Sequence, residues 1–436
     1  MHDPAGGEDR GQEEWSGAAG STHGATVEAG WLPGGGASDK LGTGPLRWLS
    51  MERGRCRGRR LLVGMALACC LTASVATPAG AAHRDESSSL AGGLHRLVSM
   101  PGGPPGAIAL VQVGRAVQVT TAGVGNTVTK APISANDTVR IASVSKAFNG
   151  AVALSLVTRR KLRLSDTIAR RLPTLPESWG TVTLAELLQH TSGLPDYIKS
   201  EAFIDVLRAD PHAVLTPAQL LSYVTKDDPL FTPGTQYGYS DTDNIVVGLM
   251  VEAVTGGSYE QALAQEVTSP LHLVKTTLPD SPDLTEPYAH GYAVEPGAPP
   301  NDLSTYLNPG LAWASGGMLS TTSELNRFMR AYVPGNLTDP VTRSRQFQFV
   351  PGSSGPPGPG TNSAGLAIFR YRTECGTVYG HTGNFPGYTI FAAATSDGSR
   401  SVAVIVNEQL NDKPITPVFT QLRAVEGLGV CAALHS

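Results

Sequence analysis

The chain has 436 residues, of which 41% are hydrophobic and 16% charged, and its formal net charge is −4 at pH 7. A chain of this composition buries a large core, which excludes disorder over its whole length. Because no long run of lysine and arginine follows the N-terminal region, the basic footprint of a nucleic-acid-binding protein is missing, and we expect no nucleic-acid partner.

The N-terminal region has the composition of an export signal. Residues 1–50 are rich in glycine and acidic residues, and from Met51 a basic segment, MERGRCRGRR, precedes the apolar LLVGMALACCLTASVA and the small residues of TPAGAAH. This order is typical of a secretory signal peptide. We predict that residues 1–50 are unstructured or a misassigned gene start, that residues 51–82 are a signal peptide, and that the mature protein is secreted or lies in the cell envelope.

Two alternatives to a cleaved signal remain open at this stage. A membrane anchor with a cytoplasmic tail is one, although the apolar run is shorter than the ~20 residues that a spanning helix needs. A lipoprotein is the other, although Ala66, Leu67 and Ala68 form a poor lipobox. Removal of the signal leaves two cysteines, Cys375 and Cys431. Two thiols in an oxidising compartment usually pair, so we predict a disulfide between them.

The first predicted elements of the mature chain are strands. GAIALVQVGRAVQVTTAGVG, residues 106–125, alternates and breaks at Gly114, which predicts a hairpin. From Ser143 the apolar spacing becomes helical, up to a basic run at residues 159–161. TLAELLQHTSGLP then predicts a short helix with a capping box between Thr183 and Glu186, followed by a tight turn.

The middle of the chain reads as helical and the C-terminal part as strands. Helical runs and Pro/Gly loops alternate over residues 200–310, and GGMLSTTSELNRFMRAY predicts a helix capped by Thr321 with Glu324. After the stiff loop PGSSGPPGPG, strands are predicted at GLAIFRYR, GYTIFAAATS and RSVAVIVNE, and a helix at ITPVFTQLRAVEGLG. Strands at both ends therefore flank a helical insert.

The stretch IASVSKAFNG, residues 141–150, carries the first chemical signal. Ser143 and Lys146 are three residues apart at a helix start, so they lie on one face about one turn apart. A desolvated lysine can lose its proton and act as the base that a serine nucleophile needs. The pattern alone is weak, because it also fits a capped, solvated helix. Ser145 is a competing serine, but it adjoins Lys146 and projects from another side.

Three further stretches strengthen the signal. FTPGTQYGYSDTDN contains Tyr239 and Asp241, LLQHTSGL contains His190, and YGHTGNFPGY contains His381. In this order the motifs resemble the serine β-lactamase and penicillin-binding superfamily, most closely its D-alanyl-D-alanine carboxypeptidase and class C β-lactamase branch. The resemblance runs from about residue 90 to the C-terminus.

The resemblance implies an α/β (α+β) fold in which an antiparallel β-sheet is flanked by helices and carries an inserted, mostly helical sub-domain. The sheet domain is expected at residues 90–175 and 320–436, and the helical sub-domain at residues 176–319. No metal or cofactor is implied. Neither metal-ligand spacing of histidines nor a G-x-S-x-G motif is present, which removes the main support for zinc hydrolase and α/β-hydrolase interpretations.

The resemblance also implies roles for individual residues. Ser143 would be the nucleophile, Lys146 its base, and Tyr239 a general base and acid. The backbone N–H groups of Ser143 and Asn384 would form an oxyanion hole. The motif of the third stretch would line the substrate cleft on an edge strand, and it comprises His381, Thr382 and Gly383; we expect a side chain at the glycine to crowd the substrate.

Two positions depart from the family pattern. Asp241 stands where asparagine is usual, and a carboxylate accepts hydrogen bonds but cannot donate them. It would pair with Lys146 and hold the lysine charged, or tune Tyr239. His381 stands where β-lactamases have lysine, and we expect it to make activity depend on pH near 6 to 7.

Other residues are weaker candidates. Arg370 and Arg372 share one strand face and would hold a free carboxylate, unless that face is simply solvated. His190 is expected to support its turn structurally. Trp313 and Tyr388 are expected either in the cleft or in the core.

The sequence therefore predicts an exported serine hydrolase that acts through an acyl-enzyme on a small-molecule or peptide substrate, with possible cell-wall association. Cleavage of D-alanyl-D-alanine peptides is the first hypothesis. An esterase, a D-amino-acid amidase or peptidase, and a β-lactamase of the same fold are alternatives. A non-catalytic protein that senses cell-wall fragments or β-lactams is the alternative from another class, with Asp241 as its best support.

Overall fold

The structure, a computed structural model, describes residues 89–435. The predicted leader at residues 1–50 and the predicted signal peptide at residues 51–82 lie outside the described residues. Within residues 89–435, no helix combines the length and the apolar character needed to cross a membrane.

Helices and strands alternate along the described part of the chain. The α-helices are α1 Leu90–Ser99, α2 Ser145–Thr158, α3 Ile168–Arg171, α4 Leu184–Gln189, α5 Glu201–Ala209, α6 Pro217–Ser222, α7 Asp241–Thr255, α8 Tyr259–Leu263, α9 Trp313–Gly316, α10 Thr322–Tyr332, α11 Pro340–Gln346 and α12 Pro417–His435. The strands are β1 Gly106–Val113, β2 Ala116–Gly123, β3 Thr138–Arg140, β4 Tyr292–Ala293, β5 Asn301–Asp302, β6 Leu319–Thr321, β7 Val350–Pro351, β8 Thr361–Ala364, β9 Phe369–Thr373, β10 Gly376–Phe385, β11 Tyr388–Ala394 and β12 Arg400–Val406.

An eight-stranded sheet forms the centre of the molecule, in the order β2-β1-β12-β11-β10-β9-β8-β7. Every neighbouring pair in it is antiparallel. The N-terminal hairpin joins the C-terminal strands through β1 and β12, with Ile108 opposite Ile405. Helices α2 to α9 lie between β3 and β6, and α4 to α9 fall within residues 176–319, where the helical sub-domain was predicted. The predicted fold class, an antiparallel sheet with helices and a helical insert, is confirmed.

The alternation of side chains along the strands explains why helices cover both faces of this sheet. Val402 and Val404 of β12 belong to the core cluster shared with α1 and α12, whereas Ala403 and Ile405 belong to the cluster shared with α2 and α10. All seven residues of β11 are buried. Because successive side chains of a strand point to opposite faces, a central strand with no polar face requires a helical layer on each side.

Turn and cap signals in the sequence also correspond to the structure. Gly114 has a φ of +58° in the turn between β1 and β2, a left-handed conformation that costs glycine little. Thr183 and Glu186 form the reciprocal capping box of α4. The segment GLAIFRYR, however, becomes a strand only from Phe369, because Ala367 has a φ of +53° and its N–H donates to Leu188 O at the end of α4.

The turn between β9 and β10 lies against the C-terminal helix. Cys375 in this turn and Cys431 in α12 have their Cα atoms 5.1 Å apart. This separation lies within the range that disulfides occupy in proteins. The geometry is therefore compatible with the disulfide predicted from the sequence, and its formation stays a prediction.

A buried carboxyl group follows β12 and should make stability depend on pH. Glu408 is 6% exposed, and burial raises its pKa from 4.5 to about 8. Between these two values the folded protein binds a proton that the unfolded chain has lost, so the free energy of unfolding falls as pH rises, by up to about 1.4 kcal/mol per pH unit. We expect Glu408→Gln to stabilise the protein more at pH 8 than at pH 5, measured by urea unfolding.

The control for Glu408→Gln is Glu374→Gln, which removes the same charge from an exposed position. An effect of Glu408→Gln that is equal at the two pH values would contradict the prediction.

Candidate active site

The serine of the first motif lies in a tight turn before a buried helix. Ser143 is in a short 3₁₀ turn, Ala142–Val144, which continues directly into α2. Ala142 has a φ of +51°, an uncommon left-handed conformation for a residue with a Cβ. Lys146 occupies the first turn of α2 with 1% of its surface exposed, and its Nζ donates to Ser143 Oγ at 2.9 Å. The turn therefore aims the hydroxyl at the lysine.

Lys146 has an acceptor for each of its protons. Besides Ser143, Nζ donates to Asp241 Oδ1 at 2.6 Å and to the carbonyl oxygen of Ser315 at 2.8 Å. A protonated lysine has three N–H donors, so the arrangement is that of a charged ammonium group. Asp241 thus forms the pair with Lys146 that was one of its two expected roles.

Tyr239 lies beside Lys146 and Ser143. The Lys146 ammonium lies 5.0 Å from the centre of the Tyr239 ring, a cation–π contact. The tyrosine hydroxyl is buried and has no hydrogen-bond partner of normal geometry within residues 89–435. The pKa of Tyr239 is raised well above 10. Burial is the largest cause and the charge of Asp241 the second, and they outweigh the opposite effect of the nearby Ser143. Tyr239 is therefore a neutral phenol near neutral pH, with a proton to donate.

The turn motif around His190 supports the tyrosine loop. His190 ends α4 in a left-handed conformation, and its carbonyl oxygen accepts the N–H of Gly238 at 2.8 Å. Its Nδ1 lies 2.9 Å from Asp243 Oδ2, and burial lowers the pKa of the imidazole to about 3. Burial also raises the pKa of Asp243. Burial thus disfavours the charged form of both side chains, and their contact is consistent with the structural role expected for His190.

The third motif lies on β10 where the strand extends past its neighbour. Strand β9 pairs with β10 only as far as Gly380, whereas β11 pairs with it to Phe385. The part of β10 that holds the motif is therefore a local edge. A Cβ on Gly383 would lie 2.4 Å from Ile141 O and 3.3 Å from Ser143 N. Gly383 thus lets β10 approach the nucleophile turn. A side chain at this position would collide with the turn, whereas the sequence led us to expect a collision with the substrate.

His381 does not fulfil the role expected from the sequence. It is 1% exposed, does not line the cleft, and its Nδ1 faces the carbonyl oxygen of Thr382. Burial is the largest cause that lowers its pKa, to about 3, so the imidazole is neutral over the whole physiological range. The prediction that His381 titrates near pH 6 to 7 is wrong, because a histidine pointing into the protein loses the solvation that its charged form needs.

Thr382 and the Pro/Gly loop form a wall of the site. The Thr382 hydroxyl contacts Ser354 Oγ at 2.5 Å and donates to Pro356 O at 2.8 Å. Tyr237 donates to Ser353 O on the same loop at 2.5 Å. The threonine therefore anchors the loop that lines the cleft and does not itself line it.

The two arginines of β9 lie away from the cleft. Arg370 Nε donates to Ser363 Oγ at 3.0 Å, and its guanidinium stacks over Phe349 at 4.6 Å. Arg372 is exposed on the same strand. Strand β9 begins alongside Gly380, before the third motif, and neither arginine is among the residues that line the cleft. The role of a carboxylate holder predicted for Arg370 and Arg372 is therefore wrong.

The two aromatic candidates belong to the core. Trp313 packs on Tyr259 and its Nε1 donates to Glu260 at 3.3 Å. Tyr388 is fully buried and donates to Ala289 O at 2.8 Å.

A cleft of about 310 Å³ opens beside the serine. It lies between the nucleophile turn, the Pro/Gly loop, the segment after the His190 turn and the loop after β12. From the sequence-predicted set, the residues that line it are Ser143, Tyr239, Asp241 and Asn384. Lining residues that sequence reasoning missed include Asp196, Tyr197, Lys199, Phe385, Gln409 and Asp412.

Asp196 is the missed residue with the most unusual environment. It directly follows the Leu194–Pro195 end of the turn motif, so its position beside a recognised motif was the available signal. Its Oδ1 accepts the N–H of Asp241 at 3.1 Å. Burial and then the charge of Asp241 raise its pKa to about 7.

Residues 89–435 contain no group of histidine, cysteine, aspartate and glutamate side chains arranged to hold a metal ion. The reactive groups that the structure brings together are the serine, the lysine, the tyrosine and the carboxylates. A hydroxyl, an ammonium and a phenol in contact beside an open cleft are the groups needed for acyl transfer through serine.

Comparison with known proteins agrees with this geometry. Residues 96–423 match the β-lactamase family. Penicillin-binding protein 4* of Bacillus subtilis is 25% identical over 295 residues, which cover 64% of this chain and 63% of that protein. A β-lactamase of Escherichia coli is 26% identical over 235 residues, 52% of this chain and 56% of that protein. The matches thus span less than two thirds of these two relatives.

Solved structures show the same fold. A D-stereospecific amidohydrolase from Streptomyces has a TM-score of 0.66 and 30% identity, covering 74% of this chain and 95% of that chain. A D-amino acid amidase from Ochrobactrum anthropi has a TM-score of 0.69 and 22% identity, covering 80% of this chain and 98% of that chain. Fold and site define a protein of the β-lactamase and penicillin-binding protein fold. The chain belongs to the β-lactamase family.

Proposed function

We propose that the protein hydrolyses amide bonds on the carbonyl side of D-configured amino acid residues through an acyl-enzyme on Ser143. The observation that supports an acyl-enzyme most directly is the 2.9 Å contact between Ser143 Oγ and Lys146 Nζ beside the cleft that Ser143 lines. The D-configuration is supported by the 30% identity to the D-stereospecific amidohydrolase. The earlier first hypothesis, cleavage of D-alanyl-D-alanine peptides, becomes the second candidate.

An uncharged leaving group fits the cleft better than a free carboxylate. A carboxypeptidase must bind the terminal carboxylate of its substrate, and a fixed cation serves this purpose best. His381 is neutral, and Arg370 and Arg372 lie outside the cleft. Three lysines are at the site: Lys146 is paired with Asp241, Lys199 lies 3.4 Å from Asp196, and Lys413 is an exposed residue of the loop after β12 and not a fixed cation.

The proton path follows from the contacts of Lys146. The charged lysine donates to Ser143 and therefore cannot accept the serine proton in this state. Transfer of one ammonium proton to Asp241, 2.6 Å away, converts the ion pair to a neutral pair and leaves an amine that takes the proton of Ser143. The serine then attacks the carbonyl carbon, and its developing oxyanion faces the N–H groups of Ser143 and Asn384.

Tyr239 supplies the proton for the leaving group. Its raised pKa keeps the phenol protonated, and it faces both Ser143 and the cleft. After the amine leaves with this proton, the phenolate recovers one from Lys146, and water cleaves the acyl-enzyme by the reverse route.

The test is a substrate panel with the purified mature protein. It compares D- and L-phenylalanine amide, a D-alanyl-D-alanine peptide, a short-chain ester and a chromogenic cephalosporin. We expect the highest kcat/KM for the D-amide. A preference for the L-amide, or no cleavage of either amide, would contradict the proposal, and a higher rate on the D-alanyl-D-alanine peptide would select the second candidate. A labelled β-lactam that stays bound without any turnover would select the sensor.

We further propose that the protein is exported, as the signal-like segment at residues 51–82 suggests. Two cysteines at disulfide distance in the described part support an oxidising compartment. N-terminal sequencing of protein recovered from the culture medium or the cell wall should find a start near residue 82.

A further inference from the structure

Two carboxyl groups line the cleft beside the nucleophile, and one of them has an oxygen without a partner. Asp241 is 8% exposed, and its Oδ1 is held by Lys146 at 2.6 Å. Within residues 89–435, Oδ2 of Asp241 has neither a hydrogen bond nor an ion pair, although the residue lines the cleft. A carboxylate oxygen that lines a ligand cleft on a mostly buried side chain, without a partner in the protein, is a site for a donor from the ligand.

Asp196 is the second carboxyl group and is hydrogen-bonded to the backbone of Asp241. Its Oδ1 accepts the N–H of Asp241 at 3.1 Å, and its Oδ2 lies 3.4 Å from Lys199 Nζ. The side chain of Lys199 is 53% exposed, whereas that of Asp196 is 6% exposed. The ion pair of Asp196 is therefore with an exposed lysine, and an ion pair with an exposed partner contributes little.

The buried groups of this region contain more acid than base. Asp196, Asp241 and Asp243 are buried together, and Lys146 is the buried cation among them. The raised pKa values of Asp196 and Asp243 show the cost of this imbalance, for which burial is the largest cause and Asp241 a further one. A cation delivered by a substrate would relieve the imbalance in a cleft that solvent screens weakly.

We propose that Asp196 and Asp241 bind the protonated amino group of the acyl residue, so that the enzyme prefers substrates with a free amino group to N-acylated ones. The inference rests on the proposed function and names the substrate class of the same site. In an amino acid amide the amino group is attached to the carbon next to the attacked carbonyl. Lys146 Nζ touches both Ser143 Oγ and Asp241 Oδ1, which places the carboxylate within reach of that amino group.

The same carboxylates disfavour an N-acylated substrate. An acyl cap replaces the three N–H donors of an ammonium group by one amide N–H and adds a carbonyl oxygen. A carboxylate cannot donate to that oxygen, whereas asparagine can. The capped substrate would therefore bury the cleft carboxylates without supplying a positive charge, which costs binding energy.

The experiment measures kcat/KM for D-phenylalanine amide and for N-acetyl-D-phenylalanine amide, and compares their ratio among variants. The ratio cancels any general loss of activity or folded protein, because each variant is its own reference. We expect the unmodified enzyme to favour the free amine at least about tenfold. Asp196→Asn and Asp241→Asn should each lower the ratio by about tenfold or more, mainly through a higher KM for the free amine.

Two variants serve as controls. Asp412→Asn removes another carboxylate from the cleft lining, on the loop after β12, and should leave the ratio unchanged. Lys199→Met removes the competing cation of Asp196 and should raise the ratio.

The possible outcomes separate this inference from the proposed function. Cleavage of both amides with similar kcat/KM, or ratios that stay constant in Asp196→Asn and Asp241→Asn, would overturn the inference while the amidase activity stands. Cleavage of neither amide would overturn the proposed function and the inference with it.

Discussion

Ser143→Ala should reduce amide hydrolysis by about 10⁴-fold or more and should abolish covalent labelling by a fluorophosphonate. Ser143 is the hydroxyl in contact with Lys146 at the cleft, and removal of the nucleophile from a unit of cooperating residues eliminates most of the rate enhancement. The measurements are the kcat/KM for D-phenylalanine amide and the mass of the labelled protein.

Ser145→Ala is the matched control. Ser145 is fully buried and does not line the cleft, and its hydroxyl accepts the N–H of Met318 at 3.2 Å. We expect this variant to keep its label and its hydrolysis, with a modest loss of stability from the unpaired N–H. Labelling of Ser143→Ala together with loss of labelling in Ser145→Ala would assign the nucleophile to the other serine.

Lys146→Met should impair both catalysis and stability. The substitution removes the base and leaves Asp241 buried without its counter-ion, next to Asp196 and Asp243. Breaking a buried ion pair from one side typically costs about 3–5 kcal/mol. We therefore expect a lower free energy of unfolding in urea, and a loss of kcat/KM of about 10³-fold or more, since the hydroxyl loses its activating group.

The double variant Lys146→Met/Asp241→Asn separates the two effects. It removes the uncompensated charge, so most of the lost stability should return, while hydrolysis should stay impaired. If the double variant were as unstable as Lys146→Met, the loss would come from packing around the lysine and not from the buried charge.

The sequence predicts the fold in most of its parts because the local signals agree with the tertiary contacts. The break at Gly114 sets the first hairpin, and the spacing of Thr183 and Glu186 sets the start of α4. The strand of GLAIFRYR starts later than its composition indicates, since Ala367 turns to bond with α4. Such a contact between distant segments overrides strand propensity and is not visible in a local window.

The sequence predicts the site residues that belong to motifs. It predicts less well those residues whose position depends on strand register or on burial in the folded protein. The contact between Ser143 and Lys146 follows from helical spacing, and the pairing of Lys146 with Asp241 follows from their chemistry. Strand β9 does not extend alongside the third motif. Strand lengths of this kind are not visible in the sequence, so the sequence could not show that Arg370 lies away from the cleft.

Burial of a titratable side chain is likewise a property of the assembled fold. His381 is a histidine in an alternating strand, and its sequence neighbours do not state which face is covered. The approach of Asp196 to Asp241 joins residues 45 positions apart. Neither the neutral imidazole nor the second carboxylate of the cleft could be derived without the tertiary structure.

The pairing of β1 with β12 has a consequence for biosynthesis. The β1–β2 hairpin is made long before its partner β12, the last strand of the sheet, so the nascent chain cannot close its sheet before synthesis is nearly complete. Contacts between such distant segments form slowly. Export, as proposed above, would benefit from this delay, because a chain without its closed sheet still fits through a translocation channel and folds after passage.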